Sequence, residues 1–234
     1  MQLVAELRNY TLPRHLYRFR SLGGQRRRDE ELSALRNGFI WCSTYGAMND
    51  PMEGIYEAAT RVRQQPEWQT AREAIRWGKA ETGICSFAEA SNNELMWAHY
   101  ADGFRGMCIE YDLETLMRGL REDCALVRVA YSDEVPQLRD AASDNETAVR
   151  AILSTKSARW LYEREWRAFS ATRGAVSYRS RAVTRLIMGS RIAPEDAHEI
   201  QEVAEEIGVP VHRVEVKGYR LSVGSRHIGA EDAR

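Results

Sequence analysis

The stretch GICSFAEASNNELMWAHYADGFRGMCIEY, Gly83 to Tyr111, decides the fold class. Gly83–Phe87 is a short apolar run bounded by polar residues, which reads as a strand. Glu94–Ala101 reads as a helix, and Gly103 leads from it into Gly106–Tyr111, a second strand. Strand, helix and strand recur along the chain at irregular spacing. Regular βαβ alternation and a Gly-rich phosphate loop are both missing from the sequence. The pattern therefore predicts an α+β fold, with a mixed or antiparallel central sheet of about seven strands and flanking helices, rather than a Rossmann arrangement.

Towards the N-terminus, His15–Ser21 (HLYRFRS) alternates as a strand. An Arg-rich loop, Gln25–Arg28, precedes a short helix with Asp29 as its N-cap and Asn37-Gly38 as its stop. Phe39–Ser43 reads as a buried strand. Tyr45–Gly54 (YGAMNDPMEG) reads as a rigid loop, and Pro66–Lys79 as an amphipathic helix. Towards the C-terminus, Leu113–Leu120 is a short helix and Ala125–Tyr131 a strand. Asp144 or Asn145 caps the longest helix, with Val149, Ile152, Leu153, Trp160 and also Lys156 on one stripe. Glu165–Ser170, Val183–Met188 and Val209–Val216 read as strands. Pro194 and Gly208 frame the last helix. The reading is of one domain over residues 1–223 and a loose polar tail over 224–234.

Apolar residues form 44% of the 234-residue chain, enough for a sizeable core. No apolar run is long enough to span a membrane, and the first residues lack a signal pattern, so a cytoplasmic protein is expected. The four cysteines, at 42, 85, 108 and 124, have no zinc spacing and read as reduced thiols; no metal site is expected. The net charge of −1 hides an asymmetry. Lys156–Arg191 carries nine basic and two acidic residues, a balance of +7, while Ile192–Ile207 carries six acidic residues and no basic one. The basic stretch suits a polyanion; a surface neutralised by the adjacent acidic helix is the alternative.

Four clusters hold side chains that a core does not require. Tyr17-Arg18 lies on the first strand. Ser43, Tyr45, Asn49, Asp50 and Glu53 lie in or beside the rigid loop. Trp97, His99 and Tyr100 share a helix. Lys156 accompanies Glu163, Glu165 and Arg167. In extended backbone Glu163 and Glu165 project to one side, and two adjacent carboxylates split their pKa values or recruit cations. This pair is the best catalytic candidate in the chain.

The series LYRFRS, GFIWCSTYGAMNDPMEG, ICSFAE, LMWAHYADGFRGMCIEY and TKSARWLYEREWRAF resembles the bacterial domain-of-unknown-function family numbered twenty-nine seventy-one, from about Leu16 to Ile192. That family carries no established activity. The order of parts is also similar to that of mono-ADP-ribosyltransferase toxins acting on nucleic acid, with Arg18, Gly38–Tyr45, Trp97 or Tyr100, and Glu165 at the matching positions. That likeness implies NAD as substrate, Glu165 as the catalytic carboxylate with Glu163 beside it, and a toxin or phage-defence role. It also implies a cofactor site of Tyr17, Arg18, Ser43, Tyr45, Trp97 and Tyr100. Two rivals stand against it. One is a metal-dependent nuclease using Asp50, Glu53, Glu163, Glu165 and Lys156. The other is a non-catalytic module that binds nucleic acid or a nucleotide.

Overall fold

The structure, a computed structural model, describes residues 12–141, 144–178 and 180–224. Most of the tail read as loose lies outside them. Eight strands form one sheet. Across it the order is Arg220–Val223, Val211–Lys217, Val183–Met188, Met107–Asp112, His15–Arg20, Gly83–Ala88, Glu165–Ser170 and Ala125–Arg128. Neighbours are antiparallel except Val183–Met188 and Val211–Lys217, which run parallel. The helix Pro194–Ile207 makes that crossover, starting on a proline and ending on left-handed Gly208. The fold is α+β, as the sequence pattern predicts.

Strand alternation sends one set of side chains to each face. Leu16, Phe87, Ile109, Tyr111, Trp166 and Leu186 pack on one face with Leu32, Leu35, Ile200 and Val203 from the helices Gln25–Asn37 and Pro194–Ile207. Phe19, Cys108 and Ile187 pack on the other with Trp97. There too, Ile84 and Phe169 meet Ile75, Val149 and Leu153 from the helices Trp68–Glu81 and Asn145–Leu153. The chain climbs from the helix Glu94–Tyr100 into its strand through Gly106, whose Cβ would stand 2.1 Å from the carbonyl oxygen of Arg20. No side chain fits that approach.

Several boundaries differ from the sequence reading. The first helix starts at Gln25, after left-handed Gly24, so the Arg-rich loop is helical and Asp29 is no cap. The Ala125–Tyr131 run divides into Ala125–Arg128 and Ala130–Ser132. The latter pairs in parallel with a short strand, Thr155–Ser157. The capped helix ends at Leu153, before a Ser-Thr pair that favours extended backbone. Lys156 is therefore on a strand and not on the stripe of Ile152 and Leu153. Trp41, read as part of a buried strand, is 53% exposed.

Candidate active site

The strands His15–Arg20 and Gly83–Ala88 are neighbours but pair in register only at Tyr17 and Ala88. Each pairs along its length with its other neighbour. From Ala88 back towards Ile84 the two strands part, and Ser43 takes the edge of Ile84 through two backbone hydrogen bonds, of 2.9 and 2.7 Å. A cleft of about 510 Å³ opens at this seam. Because it cuts through the sheet, residues from both faces line it.

One side of the cleft is acidic. Lys156 Nζ lies 2.6 Å from Glu163 Oε2, 3.2 Å from Glu165 Oε2 and 3.7 Å from Glu53 Oε1. Arg167 is fully buried. Its guanidinium holds Glu53 through Nη2–Oε1 at 2.6 Å and Nη1–Oε2 at 2.9 Å, and Glu165 through Nε–Oε1 at 2.8 Å and Nη2–Oε2 at 3.1 Å. Three carboxylates thus face two cations. The Tyr100 hydroxyl donates to Glu163 Oε1 at 2.6 Å. Burial and the adjacent Glu163 charge push its phenol pKa well up.

The two glutamates of the pair are driven apart. Burial raises the Glu163 carboxyl above the ordinary range, against the pull of Lys156. Burial also acts to raise Glu165, but Arg167, by charge and by hydrogen bonding, outweighs it and leaves Glu165 below the ordinary range. Two carboxyls with opposite tuning in one site are the arrangement that separates acid from base roles.

Local sequence explains the placement. Glu163 ends a 3-10 turn, Ala158–Glu163; Arg164 is left-handed at φ 46°; Glu165 starts the strand. The two carboxylates meet through this turn, and not through strand alternation. Asn93 ties the parts together. Its Oδ1 caps the helix Glu94–Tyr100 by accepting from Leu95 N at 3.0 Å, and its Nδ2 donates to the Tyr162 carbonyl at 2.6 Å. The residue that positions Tyr100 is therefore bonded to the turn that carries Glu163.

The other side is cationic. Arg18, 7% exposed, lines the cleft and donates to the Trp41 carbonyl at 3.5 Å; among the described residues no carboxylate pairs with it. Beside it Arg20 is paired with buried Glu31. Exposed Arg27 adds a further charge to the wall. Arg18 shares its sheet face with Leu16, whereas Glu165 and Arg167 lie on the face opposite Trp166. Only an opening through the sheet lets both poles reach one space.

Of the residues singled out in the sequence, Tyr17, Arg18, Ser43, Asn49, Glu53, His99, Tyr100, Lys156, Glu163 and Glu165 line this cleft. Arg167 stands behind them. Three do not join. Trp97 is wholly buried, stacked on Phe104 at 5.9 Å and edge-on to Phe19 at 5.2 Å, with its indole N–H on the Ser91 carbonyl. It is a core residue. Tyr45 packs beneath Lys79, and Asp50 turns back to cap Met52 N at 2.9 Å. Arg20, Arg27 and Trp41 line the cleft without having been singled out; the alternation of Arg18 with Arg20 was the signal for the first.

The +7 stretch is largely spent inside the fold. Lys156 and Arg167 serve the acidic cluster, Arg164 pairs with Glu89, Arg173 with Glu81 and Arg185 with Glu110. The acidic helix pairs elsewhere, with Arg28 and Arg36 of the first helix. Among the described residues no group of His, Cys, Asp and Glu is arranged to hold a metal ion, and no helix is long and apolar enough to cross a membrane.

Residues 96–168 match the model of a family described as "Protein of unknown function (DUF2971)". It is the family that the motifs resemble, over a shorter span than Leu16–Ile192. The matched segment holds Tyr100, Lys156, Glu163, Glu165 and Arg167; Arg18 and Glu53 come from outside it. No curated protein and no solved structure matches the chain.

Proposed function

We propose that the cleft binds NAD and that the protein transfers ADP-ribose from it to a macromolecular acceptor. The observation that carries this reading is the bipolar cleft: on one side a buried guanidinium with no carboxylate partner among the described residues, on the other an over-supplied carboxylate cluster, joined by an opening through the sheet. A pyrophosphate suits Arg18, because a charge-assisted contact satisfies a buried donor that a single carbonyl leaves short. A cationic nicotinamide–ribose suits the excess negative charge of Glu53, Glu163 and Glu165. As the C–N bond breaks, positive charge spreads over the ribose, and fixed negative groups in a water-poor site stabilise it. Exposed Trp41 and His99, and half-buried Tyr17, supply aromatic surface on the walls.

A nuclease needs carboxylate oxygens free for Mg²⁺. Here Lys156 and Arg167 already engage Glu53, Glu163 and Glu165, and Asp50 turns away, which favours the metal-free reading. Because five of the nine basic residues of the stretch are ion-paired within the fold, its charge singles out nucleic acid less sharply, and the acceptor is to be found by direct comparison. The test is incubation with adenylate-labelled NAD and RNA, DNA or protein, with and without chelator. Transfer of label that survives chelator is expected. Chelator-sensitive cleavage of nucleic acid without NAD consumption would favour the nuclease.

A further inference from the structure

We propose that Glu163 is the group that exchanges a proton with whatever is bound in the cleft, and that Glu165, Arg167 and Glu53 are positioning residues that hold it there. This rests on the reading of the cleft as an active site, and it reverses the roles implied by the likeness to ADP-ribosyltransferases, in which Glu165 acts on the substrate.

The hydrogen bonds decide the division. Glu165 accepts three charge-assisted bonds: Arg167 Nε on Oε1, and Arg167 Nη2 and Lys156 Nζ on Oε2. Glu53 is held by two parallel bonds from Arg167. Both carboxylates are locked to one fully buried guanidinium, whose charge no proton transfer at neutral pH removes. Glu163 is bound differently. Its two bonds come from the Tyr100 hydroxyl and from Lys156 Nζ. Among the described residues no guanidinium touches it. The cluster holds one carboxylate more than it holds cations, so one proton can be gained or lost without unpairing Arg167. Glu163 is where that change costs least.

The groups that face Glu163 agree with this. Tyr100 comes from the helix Glu94–Tyr100, Lys156 from the strand Thr155–Ser157, and Glu165 from its own strand, carrying Arg167 behind it. Of these, Glu165 repels a charge on Glu163 and Lys156 attracts it, while burial disfavours it, and the net direction for Glu163 is upward. A carboxyl tuned towards the working pH is better suited to general acid–base work than one held ionised.

In the proposed transfer the step balances. The lone pair of the acceptor nucleophile forms the new bond to ribose C1′. The nicotinamide–ribose C–N bond breaks, and its electron pair leaves with neutral nicotinamide. The proton of the acceptor passes to Glu163.

The test compares Glu163→Gln, Glu163→Asp and Glu165→Gln, with two readouts. The first follows carboxyl protonation by ¹³C NMR of protein labelled at glutamate. A carboxyl titrating above the ordinary range is expected in the wild type, lost in both Glu163→Gln and Glu163→Asp, and retained in Glu165→Gln. The second is the pH profile of turnover. An ascending limb belonging to Glu163 is expected, with a loss on the order of 10²–10⁴ in Glu163→Gln. Persistence of the high-titrating carboxyl in Glu163→Gln, with its loss in Glu165→Gln, would overturn the assignment. If NAD is not turned over at all, the transferase reading fails and the titration still decides which glutamate carries the proton.

Discussion

Arg167 grips Glu53 with two parallel hydrogen bonds, 2.6 and 2.9 Å long, across 114 positions of sequence, and neither side chain has appreciable exposure. This contact fastens the Tyr45–Gly54 loop to the Glu165–Ser170 strand and fixes one wall of the cleft. Removing one partner leaves a buried charge uncompensated, which costs about 3–5 kcal/mol. Arg167→Met and Glu53→Gln should each lower the melting temperature by roughly 6–20 °C, at 2–4 °C per kcal/mol for a chain of this size. Arg167→Lys should be nearly as harmful, because an ammonium cannot make the paired contact. Thermal unfolding of the three variants measures this. Wild-type melting of Arg167→Met would remove the pair from the account.

The two glutamates should leave opposite marks on stability against pH. Glu165 sits below its ordinary pKa, so its contribution is present above the unfolded value and is lost as pH falls through the folded one. Glu163 sits above its ordinary pKa, so the native state binds more protons than the unfolded one, and stability falls as pH rises from the unfolded value to the folded one. Urea midpoints measured across pH should show a steeper acid loss in wild type than in Glu165→Gln. The decline on the alkaline side of the ordinary glutamate pKa should flatten in Glu163→Gln. Identical profiles for the two variants would contradict the assigned directions.

Arg18 should behave as a ligand-binding residue. It is buried, and among the described residues no carboxylate lies within ion-pair distance of it. Arg18→Met keeps the apolar stem and should melt within a few degrees of wild type. Its NAD affinity should fall by about 10- to 150-fold, the equivalent of a hydrogen bond to a charged group at about 1.5–3 kcal/mol. Titration calorimetry checks the affinity; an unchanged dissociation constant would displace the pyrophosphate from Arg18.

Asn93 links the cap of one helix to the turn bearing Glu163. Asn93→Ala should cost about 1 kcal/mol as a lost N-cap. It should also reduce turnover more than Leu95→Ala, an exposed change on the same helix, because Tyr100 and the turn then lose their common anchor. Equal effects of the two substitutions on turnover would make Asn93 a cap and nothing more.

The fold was legible where periodicity was strong. Gly83–Ala88 and the first half of Met107–Asp112 are mostly apolar and buried on both faces, and such runs advertise cover on both sides. The helix from Pro194 to Gly208 was framed by its own stop signals. What failed was local. Ala125–Tyr131 reads as one strand, and its division at Val129 depends on Ala130 finding a partner at Thr155. Trp97 and Tyr100 share a helix face three residues apart, yet Trp97 is held in the core by Phe19 and Phe104 while Tyr100 reaches Glu163. Sequence spacing gives the face and not the depth. The pairing of Arg167 with Glu53 left no local signal either, since only the folded chain brings position 53 to position 167. Even so, most of the polar residues picked out as too reactive for a core line the cleft.

The fate of the two halves of NAD tests the proposed transfer most directly. With NAD labelled once in nicotinamide and once in the adenylate, free nicotinamide should appear in step with adenylate label bound to a macromolecule, in chelator and without it. Both should fall together, on the order of 10²–10⁴, in Glu163→Gln. Nicotinamide and adenylate remaining joined in intact NAD, with every acceptor class present, would contradict it.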